Sequence, residues 1–298
     1  MAPGMLTTST TADDTSQGIA HDLREIVHDV WASRNLLLQL TLRDIRVRYK
    51  QAYMGFAWAV LTPLLVVSAG IVVRVALLNV AGAPLDRSSL VGVVVKGLAW
   101  SFVSAAIGFS ANVLTLNAGL IGKIYFPRET LPLSVMLAST FDTLIAVVAI
   151  GIILPFLGWR PTVEVLWVPL VAVTLFALTF AISLLASCGN LFFRDVKYLV
   201  QLLTSFGIFF TPIFYEPHAL GARTIPLQMV NPLAPLVEGL RLAIANRHNL
   251  LVPIRDAADG AVIWSPAYLI YSVVFTALAL VVSAVIFHRS QYRFAEYI

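Results

Sequence analysis

The sequence predicts an all-α integral membrane protein with six transmembrane helices per chain. Only 12% of its 298 residues are charged and 59% are hydrophobic, whereas a soluble domain carries about 25% charged residues. Mean hydropathy is +0.85. The apolar residues gather into six runs near or above the ~20 residues that a helix needs to cross a hydrocarbon core of ~30 Å.

Taken in order, residues 1–18 (MAPGMLTTSTTADDTSQG) are polar and rich in Ser and Thr. They lack the apolar core of a secretory leader and read as a disordered cytoplasmic tail. Residues 19–52 read as an amphipathic interface segment. Leu23, Ile26, Val27, Val30 and Trp31 recur at helical spacing, with Asp22, Glu25 and Asp29 off that stripe. A second stripe, Leu42, Ile45, Tyr49, Tyr53 and Phe56, leaves Arg43, Arg46 and Lys50 turned the other way. A basic amphipathic helix beside a span suits the surface of an anionic leaflet.

Residues 53–298 form the membrane domain, with spans at Tyr53–Asn79, Leu90–Leu114, Thr130–Leu157, Leu166–Cys188, Tyr198–Tyr215 and Pro266–His288. Pro63, Pro169 and Pro212 lie inside or near the ends of these spans, which membrane helices tolerate when neighbours satisfy the freed carbonyls. Basic residues in short loops set orientation. Arg43, Arg46, Arg48 and Lys50 precede span one; Lys123 and Arg128 separate spans two and three; Arg194 and Lys197 separate four and five; Arg289 and Arg293 follow six. The alternate short loops hold Arg87 and Arg160. Both termini are therefore expected in the cytoplasm.

Between spans five and six, the stretch from Val230 to Ala245 is apolar but too short, and too broken by Pro232, Pro235 and Gly239, to cross. It reads as a re-entrant hairpin, in which Glu238 and Arg241, three apart, pair on one helix face. Within the spans, Arg74 and Lys96 lie near outer ends and Asp142 lies deeper. Counting ~1.5 Å per residue brings Lys96 and Asp142 to similar depths, so a Lys96–Asp142 pair is expected.

The basic balance (+4) accompanies no soluble module of clustered basic and aromatic residues, so no nucleic-acid partner is expected. GLIGKI at Gly119–Ile124 lacks the spacing and the hydroxyl of a phosphate-binding loop. The five histidines are scattered without metal-ligand spacing, and no Gly-x-Ser-x-Gly elbow occurs. Cys188 cannot form a bridge within the chain, and it sits in an apolar run as an inert thiol.

The cytoplasmic loop GKIYFPRETLPL (Gly122–Leu133) is more than a connector. Pro127 disfavours helix at Phe126 and suits the first turn of a new one. Asn117–Tyr125 can then form a short separate helix, and Glu129 sits in the first turn of span three. Tyr125, Phe126 and the flanking charges make a stiff handle for another protein.

Four stretches resemble the membrane subunits of ABC-2-type exporters of cell-surface polysaccharides, the O-antigen and teichoic-acid export permeases. They are RDIRVRYKQAYMGFAWAVLTPL (Arg43–Leu64), GLIGKIYFPRETLPLS (Gly119–Ser134), NLFFRDVKYLVQLL (Asn190–Leu203) with FFTPIFYEP (Phe209–Pro217), and NPLAPLVEGLR (Asn231–Arg241). The resemblance implies a homodimer in a bacterial inner membrane, above two copies of a separate cytoplasmic ATPase. That partner would bind ATP and magnesium, and this chain would hold no cofactor and be no enzyme.

The resemblance further implies an ATPase contact at Asn117, Gly119, Lys123, Tyr125, Phe126, Pro127, Arg128 and Glu129, with a second at Arg194 and Asp195. The interface helix would span Arg43, Asp44, Arg46, Arg48, Tyr49 and Lys50, and an exit hairpin would span Asn231, Pro232, Glu238, Gly239 and Arg241. The substrate would be a glycan on a polyprenyl diphosphate. Sugar rings stack on aromatic faces, so candidate lining residues are Phe56, Trp58, Trp100, Phe102, Phe206, Phe209, Phe210 and Tyr215. Arg46, Arg48 or Lys50 would meet the diphosphate. A proton- or ion-coupled carrier, centred on Asp142, and a membrane-embedded transferase are the competing readings.

Overall fold

The structure, a computed structural model, describes residues 13–50, 55, 57–82, 86–123, 125–256 and 260–294. Its helices are α1 (Asp13–Ala32), α2 (Arg34–Tyr49), α3 (Ala57–Ala81), α4 (Arg87–Ala111), α5 (Val113–Leu116), α6 (Ala118–Ile121) and α7 (Thr130–Ile153). Then follow α8 (Trp167–Phe192), α9 (Val196–Phe210), α10 (Ile225–Met229), α11 (Leu233–Ile244) and α12 (Pro266–Ser290). A small antiparallel pair, β1 (Ile254–Arg255) and β2 (Val262–Trp264), precedes α12.

Among the described residues five helical stretches are long and apolar enough to cross a membrane: Ala57–Val80, Ser88–Ala111, Thr130–Ile152, Val163–Phe192 and Pro266–Arg293. The fifth predicted span, Tyr198–Tyr215, differs. Its helix α9 has 15 residues and ends at Phe210, a length of ~22 Å at ~1.5 Å per residue. Pro212 is the cause, because it pushes Thr211 into extended backbone (φ −102°, ψ 133°). Residues 1–12 of the predicted tail lie outside the described residues, and 13–18 are the start of α1, with no proline to stop it.

α4 is the central helix. Its most apolar stretch is 72% buried, against 22% for α3, because α3, α7, α8, α9 and α11 all pack on it. Three glycines make this close packing possible. Val67 of α3 lies 3.1 Å from where a Cβ on Gly97 would stand, and the Arg241 stem crosses Gly92 at 3.0 Å. The Trp100 ring would lie 2.8 Å from a Cβ on Gly207, so only glycine admits it. A second core, around Leu114, Phe126, Leu131, Phe287 and Phe294, joins α5, α7 and α12 at the α2 end.

α2 packs along α7 and α1 along α12. The face that α2 turns inward carries Leu36, Leu37, Leu40, Thr41, Asp44, Ile45, Arg48 and Tyr49, the i, i+1, i+4 recurrence of one helix face. Arg43, Arg46 and Lys50 face outward as predicted, while Arg48 does not. At the other end α12 starts cleanly, with Pro266 in its first turn and Ser265 Oγ accepting from the Ala267 amide at 3.3 Å.

Candidate functional site

A groove of about 950 Å³ opens between α2, α3, α4, α7 and α9. Each helix contributes one face at helical spacing. α3 supplies Trp58, Ala59, Thr62, Pro63 and Val66; α4 supplies Trp100, Ser101, Ser104, Ala105 and Phe109; α7 supplies Ser139, Asp142 and Thr143. α9 adds Thr204, Ser205 and Ile208, and α2 adds Arg48 and Tyr49 at one end. The wall is therefore aromatic and hydroxylated.

Its charged centre is an ion pair. Arg48 Nη1 donates to Asp142 Oδ2 at 2.6 Å and Nη2 donates to Ser139 Oγ at 3.2 Å. The guanidinium also lies over the Phe109 ring, 4.1 Å from its centroid. Tyr49 donates its hydroxyl to Asp142 Oδ1 at 2.5 Å. Burial first, then that hydrogen bond, pushes the Tyr49 phenol above its ordinary range, so it remains a donor. Asp142 therefore does not pair with Lys96, as the depth count had predicted. Depth along two helices leaves undetermined which way each side chain points, and Asp142 points toward α2.

Lys96 belongs to a second polar cluster, at the far end of α4. Its Nζ donates to the Tyr215 carbonyl at 2.6 Å and stands 3.6 Å from Glu238 Oε2. Arg241 Nε donates to Glu238 Oε1 at 2.9 Å, the predicted i, i+3 pair. Arg241 Nη1 reaches Asn246 Oδ1 at 3.0 Å. Arg74 joins Ser89 Oγ and Glu216 Oε1, both at 2.6 Å. The cluster ties α3, α4, the segment after α9 and α11 together. Asn231 fastens the start of α11: its Nδ2 donates to Thr211 Oγ1 at 2.9 Å and its Oδ1 accepts from the Leu233 amide at 3.1 Å. Pro232 lends its carbonyl to Ser272 of α12, and Gly239 packs beside Leu250 and Trp264.

Of the predicted lining residues, Trp58 and Trp100 are in the groove, and Phe56 lies outside the described residues. Phe102 faces a separate apolar cavity of about 440 Å³ and stacks on Phe176. Phe206, Phe209 and Phe210 stand exposed on α9, outside the groove face made by Thr204, Ser205 and Ile208. Tyr215 donates its hydroxyl to the Phe209 carbonyl and its backbone faces the Lys96 cluster. These five lie outside the groove: helical phase turns the four phenylalanines away from it, and Tyr215 follows the end of α9. The missed residues are Ser101, Ser104, Ser139, Thr143, Thr204 and Ser205; hydroxyls recurring three or four apart inside apolar runs are the signal that points to them.

The predicted handle is two-sided. Lys123 is exposed and Tyr125 fully so, whereas Phe126 is buried against the Leu131 and Phe287 core. Phe126 is thus not the exposed aromatic that the sequence predicted, since the chain after Tyr125 turns into the bundle. Glu129 is buried and accepts from His288 Nδ1 at 3.0 Å. Arg128 donates to the Gln291 carbonyl and lies 5.6 Å from the Phe294 ring centroid. Asn117 bonds back to the Val113 carbonyl at 2.8 Å, between the short helices α5 and α6, and Gly119 is exposed. Arg194 and Asp195, between α8 and α9, are exposed beside Phe193.

The chain resembles known permeases over most of its length. It is 28% identical to an O-antigen export system permease protein RfbA of Klebsiella pneumoniae, covering 88% of this chain and 94% of that protein. A second RfbA of the same organism is 27% identical with the same coverage. The RfbA of Myxococcus xanthus is 26% identical over 76% of this chain and 85% of that protein. The family model described as ABC-2 type transporter matches residues 35–245. With its apolar helices, this is a multi-pass membrane protein, and the chain belongs to the ABC-2 type transporter family.

Proposed function

We propose that this chain is the permease subunit of an ATP-driven exporter that carries a polyprenyl-diphosphate-linked polysaccharide out across a bacterial inner membrane. The observation that supports it is the groove, whose wall of Trp58, Trp100, Phe109 and hydroxyls suits sugar rings, in a chain similar to O-antigen export permeases. Many weak stacking contacts let a polymer slide, where a tight pocket would hold it. Two copies pair, and two ATPase subunits bind below.

Both termini lie in the cytoplasm, and α9 completes a sixth crossing by continuing as non-helical turns through Thr211–Tyr215. Backbone in that conformation is tolerated at membrane depth where it is buried in protein or lines a cavity. α10 and α11 form the re-entrant element at the outer end. The exposed side of the α6 loop, with Gly119, Lys123 and Tyr125, seats in the ATPase, and Arg194 and Asp195 make a second contact. Its inner side, Phe126 and Glu129, passes that movement to α12. ATP and magnesium are held by the partner.

The test is co-purification with candidate ATPase subunits, comparing wild type with Lys123→Ala/Tyr125→Ala. Because both side chains are exposed, the variant should fold as wild type. Substrate-stimulated ATP turnover should fall about tenfold, a loss of ~1.4 kcal/mol of coupling. If no ATPase binds the wild-type chain and transport follows a pH gradient instead, the exporter reading fails.

A further inference from the structure

We propose that the groove selects a glycan built from uncharged repeat units over one that carries a carboxylate or phosphate in every repeat. The inference rests on the exporter reading and names its substrate class. Two observations carry it, one from charge and one from hydrogen-bond polarity.

Among the described residues of the groove wall the charged side chains are Arg48 and Asp142, and they are bonded to each other. A second copy of the chain would add the same balanced wall. An anion taken from water into such surroundings needs a countercharge or several donors. One Arg48 can meet one anionic group, such as the lipid diphosphate, but not a charge that recurs with every repeat.

Four of the seven Ser and Thr hydroxyls in the groove wall point the same way. Each Ser or Thr side chain has one proton to donate and two lone pairs to accept with. Ser101 Oγ gives its proton to the Gly97 carbonyl at 2.9 Å and Ser104 Oγ to the Ser101 carbonyl at 3.3 Å. Thr143 Oγ1 donates to Ser139 O and Thr204 Oγ1 to Val200 O, both at 2.9 Å. Their protons engaged, these groups present lone pairs to the groove. A neutral sugar is rich in hydroxyl donors and matches them; a carboxylate or phosphate monoanion is an acceptor and meets lone pairs with lone pairs. Ser139 Oγ accepts from Arg48 and keeps its own proton, so it stands with Arg48 at the one anion-receiving point of the wall.

The experiment is a binding titration on the full-length permease in nanodiscs at low and high salt. Intrinsic tryptophan fluorescence reads the binding of maltoheptaose, a neutral oligosaccharide, against an oligogalacturonate of equal length. Wild type should bind the neutral chain saturably, and the acidic chain at least about tenfold more weakly. Trp58→Phe should reduce the signal, which places it in the groove. Asp142→Asn frees Arg48, so the ratio of acidic-chain to neutral-chain affinity should rise about tenfold.

Equal or tighter binding of the acidic chain by wild type overturns the proposal, as does the absence of saturable neutral binding. The wild-type comparison decides alone if Asp142→Asn fails to fold. Neither ATPase nor lipid carrier enters this assay. Failure of ATPase coupling would sink the exporter reading and leave the charge preference standing; the reverse result would do the opposite.

Discussion

The molecule holds two groups of charges inside its helical bundle, and they are built for different ends. At the far end of α4, Lys96, Glu238 and Arg241 are 1%, 1% and 5% exposed, and with Arg74 and Glu216 they join four parts of the chain. In the groove, Arg48 and Asp142 keep 16% and 23% of their side-chain surface in the open. Lys96, Glu238 and Arg241 are closed off from solvent and work as a fastening, each charge held by its neighbours. The second group lines a cavity of about 950 Å³ and keeps part of its surface open to it.

The largest expected effect follows from the fastening. Glu238→Ala leaves Lys96 without its buried carboxylate and Arg241 with only Glu216 at 3.9 Å, and removing one member of a buried pair costs ~3–5 kcal/mol. Thermal unfolding of the purified permease in detergent should show a deep loss of stability, with α11 first to become protease-sensitive. Little change would mean that water or lipid headgroups reach Lys96, and the contrast between the two regions would dissolve.

A smaller effect is expected where the groove meets the packing of α4. Gly207→Ala sets a methyl 2.8 Å from the Trp100 ring, so the ring must move. Overpacking of this kind costs ~1–3 kcal/mol. Because the ring also forms the wall, the variant should lose oligosaccharide binding out of proportion to its stability. A parallel loss of both would assign Trp100 to packing alone.

How much of this was legible in the sequence depends on the kind of information each feature needs. The long spans and the Glu238–Arg241 pair follow from length and local spacing, which the chain displays directly. The features that depend on rotation about a helix axis do not. Residue counting gives Lys96 and Asp142 similar depths, yet they face different neighbours, α11 for one and α2 for the other. Phe206, Phe209 and Phe210 have the chemistry of a sugar path, but the groove face of α9 is Thr204, Ser205 and Ile208. Arg48 reads as one more orienting charge until the inward face of α2 is known. Phe126 reads as an exposed handle until the turn after Tyr125 carries it into the core. Such phases are set by packing between helices distant in sequence.

The smallest stability effect should come from the groove pair. In Asp142→Asn the amide still accepts from Tyr49 or from Arg48, and what is lost is the charge of a pair part-open to a cavity. Partly exposed ion pairs of this sort are worth about 1 kcal/mol or less, well below the cost of opening the Glu238 cluster. The cation–π contact with Phe109 and the bond to Ser139 continue to hold the Arg48 guanidinium in the groove. Asp142→Asn should therefore melt close to wild type while its preference between neutral and acidic oligosaccharides shifts. Asp142→Leu sharpens the point, since it removes the acceptors as well and leaves both Arg48 and the Tyr49 hydroxyl to find others, so it should melt lower than Asp142→Asn. If Asp142→Asn instead unfolds as readily as Glu238→Ala, the groove pair is a fastening too, and Arg48 is no longer free to receive an anion.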